Sequence, residues 1–169
     1  MTEDHKKLAT ALRDIKFTMF TTTGDDGSLF SRPMATLEID ETNFDGKLWF
    51  FTDRNSPKVN NISDGDGHVN LAYADPKKEK YISVSGRASL INDKEMIKRL
   101  WKPVMKAWFP EGVDDPSIAL LCVEVETAEL WDAPPSKVVQ LAGMIKATAT
   151  GQRYNGEKYQ HHIDVKGHH

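Results

Sequence analysis

Residues 80–91, KYISVSGRASLI, place Ile82, Val84, Gly86, Ala88 and Leu90 on one face, with mostly polar side chains between them. A period of two is the signature of a strand with one buried face. The run is long for a strand, and its central glycine marks a bulge or a sharp bend. This predicts a strongly bent barrel strand, and its neighbours must curl with it. A second alternating run, IALLCVEVE (118–126), turns Leu121, Val123 and Val125 inward and continues through Thr127 and Ala128 into ELWDAPP (129–135), where Pro134-Pro135 end it.

The remaining segments fit the same architecture. Leu8, Leu12 and Ile15 line one face of a short helix over residues 2–16, with Glu3 and Asp4 in its first turn, suited to lidding a sheet. FTMFTTT (17–23), the turn GDDGS (24–28) and LFSRPMATLEI (29–39) read as a hairpin. Pro33 removes a ladder donor, so the second strand must be an edge or be bulged there. HVNLAYAD (68–75) is a half-buried strand. Asn92 or Asp93 caps a helix that Pro103 kinks or divides, and AWFPEGVDDP (107–116) is an aromatic loop. SKVVQLAGMIKATAT (136–150) is helix-like. The expected fold is mainly β: a six-stranded antiparallel barrel with peripheral helices over residues 1–150, followed by a flexible C-terminal tail, 151–169. Neither GxGxxG nor GxxxxGK[ST] occurs, which disfavours Rossmann and P-loop folds.

A chain of 169 residues with 39% hydrophobic and 28% charged residues suits one globular domain. Its net charge of −3 comes with no basic block, which argues against nucleic acid as a partner. The single cysteine, Cys122, excludes an internal disulfide and any multi-cysteine metal site, and suits a reducing cytoplasm. Set in a strand, it reads as a packed thiol rather than a nucleophile. No signal-peptide h-region and no run long enough to span a membrane is evident. His161-His162 and His168-His169 could hold a metal, but no carboxylate or cysteine set supports them, so no metal is expected.

The stretch LWFFTDRNSPKVNNI (48–62) carries the candidate chemistry. An aromatic strand stops at Thr52-Asp53, and a loop leads to a helix with Ser56 as N-cap and Pro57 at the first helical position. Lys58 in that first turn opposes the helix dipole. An anion resting there reverses the sign: free N–H groups, the hydroxyls of Thr52 and Ser56 and the Lys58 ammonium make a compact phosphate cradle. A capped helix with a solvated lysine is the plainer alternative.

SRPM (31–34), LWFFTDRNSPKVNNI (48–62), YISVSG (81–86), WFPEGVDDP (108–116) and LWD (130–132) together resemble the flavin-binding split barrels of the pyridoxine 5′-phosphate oxidase superfamily, general stress protein branch, over about residues 3–135. The resemblance implies a six-stranded FMN-binding split barrel, with the FMN phosphate at Ser56, Pro57 and Lys58 and with Phe51 and Thr52 against ribityl or phosphate. It further implies Arg32, Pro33, Met34 and Ala35 along the isoalloxazine, and Tyr81, Trp108 and Trp131 near the ring. Packing in the core or between subunits is the alternative for Trp108 and Trp131, and a solvent-facing strand position for Tyr81. Arg32 has a duller role open to it as an edge-strand gatekeeper. In this superfamily the flavin lies between the two subunits of a homodimer. The oxidases carry an Arg and His pair after the last strand, whereas WDAPPSKV offers neither, which argues against vitamin B6 oxidation. The expected function is flavin-dependent redox chemistry with an unidentified small-molecule partner, or flavin carriage without catalysis; FAD is a possible substitute for FMN, and no catalytic residue stands out.

Overall fold

The computed structural model describes residues 2–132, 137–151 and 160–166. Helix α1 (Glu3–Leu12), N-capped by Thr2, precedes strands β1 (Phe17–Thr23), β2 (Leu29–Ala35) and β3 (Lys47–Asp53). Helix α2 (Pro57–Asp64), β4 (His68–Asp75), β5 (Lys80–Ile91), α3 (Lys94–Leu100) and β6 (Ile118–Trp131) follow, then α4 (Lys137–Thr150) and β7 (Gln160–Asp164). Asp93 caps α3 by accepting from the N–H groups of Glu95 and Met96. Pro103 starts a separate 3-10 turn, Pro103–Ala107, so the helix expected across it is divided.

The strands pair antiparallel in the order β2-β1-β4-β5-β6-β3. The curled sheet meets itself where the Leu37 N–H donates to the Trp49 carbonyl at 2.8 Å, and it stays parted beyond that point, a split barrel. The bend expected in β5 falls between Ser85 and Gly86, where the register with β6 shifts. A Cβ at Gly86 would collide with the Glu124 carbonyl oxygen, so the backbones can approach only because the side chain is missing. Pro33 lies on β2, which among the described residues pairs with β1 alone, so its missing N–H breaks no second ladder.

Inside the barrel, Phe20 and Phe50 meet edge to face at 5.4 Å among Leu71, Val84, Leu121 and Val123, all fully buried. Leu8 and Leu12 of α1 join this core. A second cluster forms outside β3 and β6, where Phe51, Ile118 and Leu120 pack against Ile97 and Phe109. This explains why Ile118–Val123 are buried without a break: one strand face serves the barrel and the other this outer layer. Burial raises the Cys122 thiol to about 11, as expected of a packed rather than reactive cysteine.

The C-terminal segment departs from expectation. Residues 160–164 are not a flexible tail: they form β7, paired with Thr127–Trp131 of β6, with Ile163 buried. The reason lies in β6, whose pairing with β3 ends at Glu124 and leaves the rest of that edge open. β7 continues the line of β3 and raises the sheet from six strands to seven. The Glu129 carboxylate accepts hydrogen bonds from the His162 ring and the Gln160 amide. The proline stop at residues 134–135 and the histidine pair at 168–169 lie outside the described residues. Among those described, no helix is long and apolar enough to cross a membrane.

Candidate functional site

The parted side of the barrel is bordered by β2 and by the turn from β3 into α2. Alternation along β2 sends Arg32 inward, opposite Phe20 of β1. There its Nη1 donates to the Thr22 Oγ1 at 2.7 Å and, more weakly, to the Phe20 carbonyl at 3.4 Å. The buried Thr52 shares an inward-facing position at the end of β3. Asp53 turns the chain by accepting from the N–H groups of Asn55, through its carboxylate, and Ser56, through its carbonyl. α2 then begins with Ser56 as N-cap and Pro57 in its first turn.

At this helix start the Ser56 hydroxyl is buried, makes no bond to the helix it caps and has no other hydrogen-bond partner among the described residues. Leaving such a group unsatisfied costs about 1–3 kcal/mol. Lys58 is half-buried beside it, and its pKa falls below the ordinary 10.5 because burial disfavours the charge, Arg32 repels it, and Asp53 only partly offsets both. Neither Arg32 nor Lys58 has a carboxylate within ion-pair distance among the described residues. Two cations and an orphaned hydroxyl at a helix N-terminus are donors of the kind an anion would take up.

Sequence reasoning missed two residues here. Thr22 Oγ1 accepts from Arg32 and also from Asn61 Nδ2 at 3.3 Å, tying β2, β1 and α2 together. Thr22 lies within a threonine run that reads only as β-propensity. Asn61 is one helical turn beyond Lys58, and that spacing was its only available signal.

The other expected site residues divide. Pro33, Met34 and Ala35 continue β2 away from Arg32. Phe51 turns its side chain away from the cradle, edge to face with Trp101 in the outer cluster. Tyr81 and Trp131 are direct cross-strand partners on the outer sheet face, 45% and 38% exposed. Trp108 is 67% exposed beyond the 3-10 turn. A single chain therefore assembles the cradle and leaves these three aromatic residues outside it.

A family model for proteins like pyridoxamine 5′-phosphate oxidase matches residues 3–155. The chain belongs to this family. Protein bli-3 of Neurospora crassa is 28% identical over 154 residues, 86% of this chain and 72% of that protein. General stress protein 26 of Bacillus subtilis is 31% identical over 75 residues, 44% of this chain and 53% of that protein. The crystal structure of a general stress FMN/FAD binding protein from Xanthomonas citri is similar with a TM-score of 0.67 at 28% identity, covering 80% of this chain and 93% of that one. A Clostridium acetobutylicum protein related to general stress protein 26 matches with a TM-score of 0.66 over 78% of this chain and 91% of its own, and at 21% identity it speaks for the fold alone. Within the oxidase-like family, the split barrel is thus shared with proteins named for general stress.

Proposed function

We infer that this protein binds FMN and uses it in redox chemistry as a homodimer. The observation that carries the reading is the half-buried pair Arg32 and Lys58, without carboxylate partners among the described residues, beside the unpartnered Ser56 hydroxyl. A terminal phosphate dianion would give all three a partner, with Thr52 and the Pro57 turn completing the cradle. FAD fits the same donors only if its adenosine is led outward past them, so FMN is the better match. The Xanthomonas citri protein, described as binding FMN or FAD, supports a flavin in this fold.

The residues from Arg32 to Ala35 would flank the ring, because β2 has an edge whose backbone groups no strand among the described residues takes up. Bound flavin would supply the electron-transfer chemistry, and the chain would supply binding, orientation and charge. Tyr81, Trp108 and Trp131 would reach a ring lying between subunits. In support of a dimer, the outer sheet face exposes Met19, Tyr81 and Trp131, apolar side chains that a second subunit would cover. The absorption spectrum of the purified protein, with the released chromophore weighed by mass spectrometry, tests the reading. Colourless protein that does not take up added FMN would end it.

A further inference from the structure

A cleft of about 510 Å³ opens on the outside of the barrel, between the start of β1, the segment 35–39 that leaves β2, and the 3-10 turn at Pro103–Ala107. It lies within the roughly 300–1,000 Å³ of small-molecule sites. Its walls are Phe17, Leu37, Val104, Met105 and Trp108, of which Phe17, Val104 and Trp108 are more than half exposed. The charges at its rim are not equivalent. Arg13 is bound to Glu41 at 2.8 Å and lies 3.4 Å from Asp14, and Lys102 is bound to Glu38. Asp14 is also within 3.6 Å of Lys78. Lys16 has no carboxylate within ion-pair distance among the described residues; its ammonium lies only over the Phe17 ring, 5.8 Å from the centroid. Among the described residues, the mouth of this apolar cleft thus carries one uncompensated positive charge, Lys16.

We propose that this cleft binds a small molecule with an apolar, preferably aromatic, body and a single acidic group, the body lying against Phe17, Val104 and Met105 and the anion on Lys16. The cleft is lined by Ala35, three residues beyond Arg32 and so about 10 Å along the strand. A molecule held there lies beside the backbone proposed to flank the ring, and its role as the redox partner rests on that reading; the binding site itself does not.

The test uses the full chain without flavin and two fluorescent probes, 1-anilinonaphthalene-8-sulfonate and its uncharged relative N-phenyl-1-naphthylamine. Both bind wild type. Lys16→Met weakens the sulfonate about 10-fold or more and leaves the uncharged probe unchanged, the loss expected for one charge-assisted contact. Val104→Glu weakens both, with circular dichroism unchanged because the side chain is exposed. Equal effects of Lys16→Met on the two probes, or no effect of Val104→Glu, would overturn the proposal. So would displacement of the sulfonate by FMN in one-for-one competition, since the cleft would then be the ring's own seat. Protein that binds no FMN but shows the selective Lys16→Met loss would keep this site and defeat the flavin reading alone.

Discussion

Lys58 works against its surroundings in the free protein: it is half-buried, faces Arg32 and sits at the positive end of a helix. A bound phosphate reverses each of those terms. Lys58→Ala should therefore lower FMN affinity roughly 10- to 100-fold, the effect of losing a charge-assisted contact of about 1.5–3 kcal/mol. Riboflavin, which has no phosphate, should bind both proteins alike; equal losses for the two ligands would put the phosphate elsewhere. The lowered pKa adds a pH signature. Between the folded value and 10.5 the unfolded chain binds more protons than the folded one, so this group makes folding more favourable as pH rises through that window. FMN binding has the opposite slope, because the anion needs the charged ammonium, so affinity should fall before pH 10.5 is reached. Lys58→Arg, whose guanidinium stays charged, should lose that slope relative to wild type; titrations of both proteins across the alkaline range decide it. With no arginine or histidine in residues 131–138, WDAPPSKV, pyridoxine 5′-phosphate should not be oxidised by FMN-loaded protein. Turnover on the order of 1 per second or faster would contradict this.

β5 was legible from its alternation because a half-buried strand writes its inner face into every second residue, and Gly86 announced the bulge. The helix start at Ser56 and Pro57 was legible for a similar reason: capping and a first-turn proline are local chemistry, set by neighbours in sequence. Thr22 and Asn61 were not, since their roles exist only where three elements converge. β7 was illegible for the same cause on a larger scale. The segment QHHID contains one strong apolar residue, and its pairing is dictated by the length of β6 that β3 leaves uncovered. Phe51 shows the converse: the strand was evident, but the face its side chain takes depends on an outer layer built from residues 97–118. The strand assignment for β7 has a measurable consequence. Ile163→Ala should destabilise the protein by about 2–5 kcal/mol in urea unfolding, as for any buried aliphatic side chain cut to alanine. An unchanged midpoint would return the segment to the status of a tail.

Ser56 and Lys58 lie at the split in the barrel while Tyr81 and Trp131 stand on the outer sheet face, so one chain does not bring them together. Met19 is on that outer face too, 44% exposed between Pro33 of β2 and Ala72 of β4. If a second copy covers the face, Met19→Lys buries a charge in the interface and leaves the isolated subunit intact, because there the lysine projects into water. The expected result is a folded monomer with wild-type circular dichroism. A ring held between subunits then makes a further demand: ligand that prefers the dimer must strengthen the dimer by the same factor, and a variant that cannot dimerise must bind FMN more weakly although Met19 touches no phosphate. Trp108→Ala offers a second approach, since its exposure means that the loss must fall on dimer or ligand rather than on folding. Sedimentation of wild type, Met19→Lys and Trp108→Ala, each with and without FMN, separates these effects. A Met19→Lys monomer that binds FMN with wild-type affinity would confine the flavin site to one subunit, and a Met19→Lys dimer would move the interface to another face, such as the apolar side of α4 that leaves Leu141 and Ile145 in water.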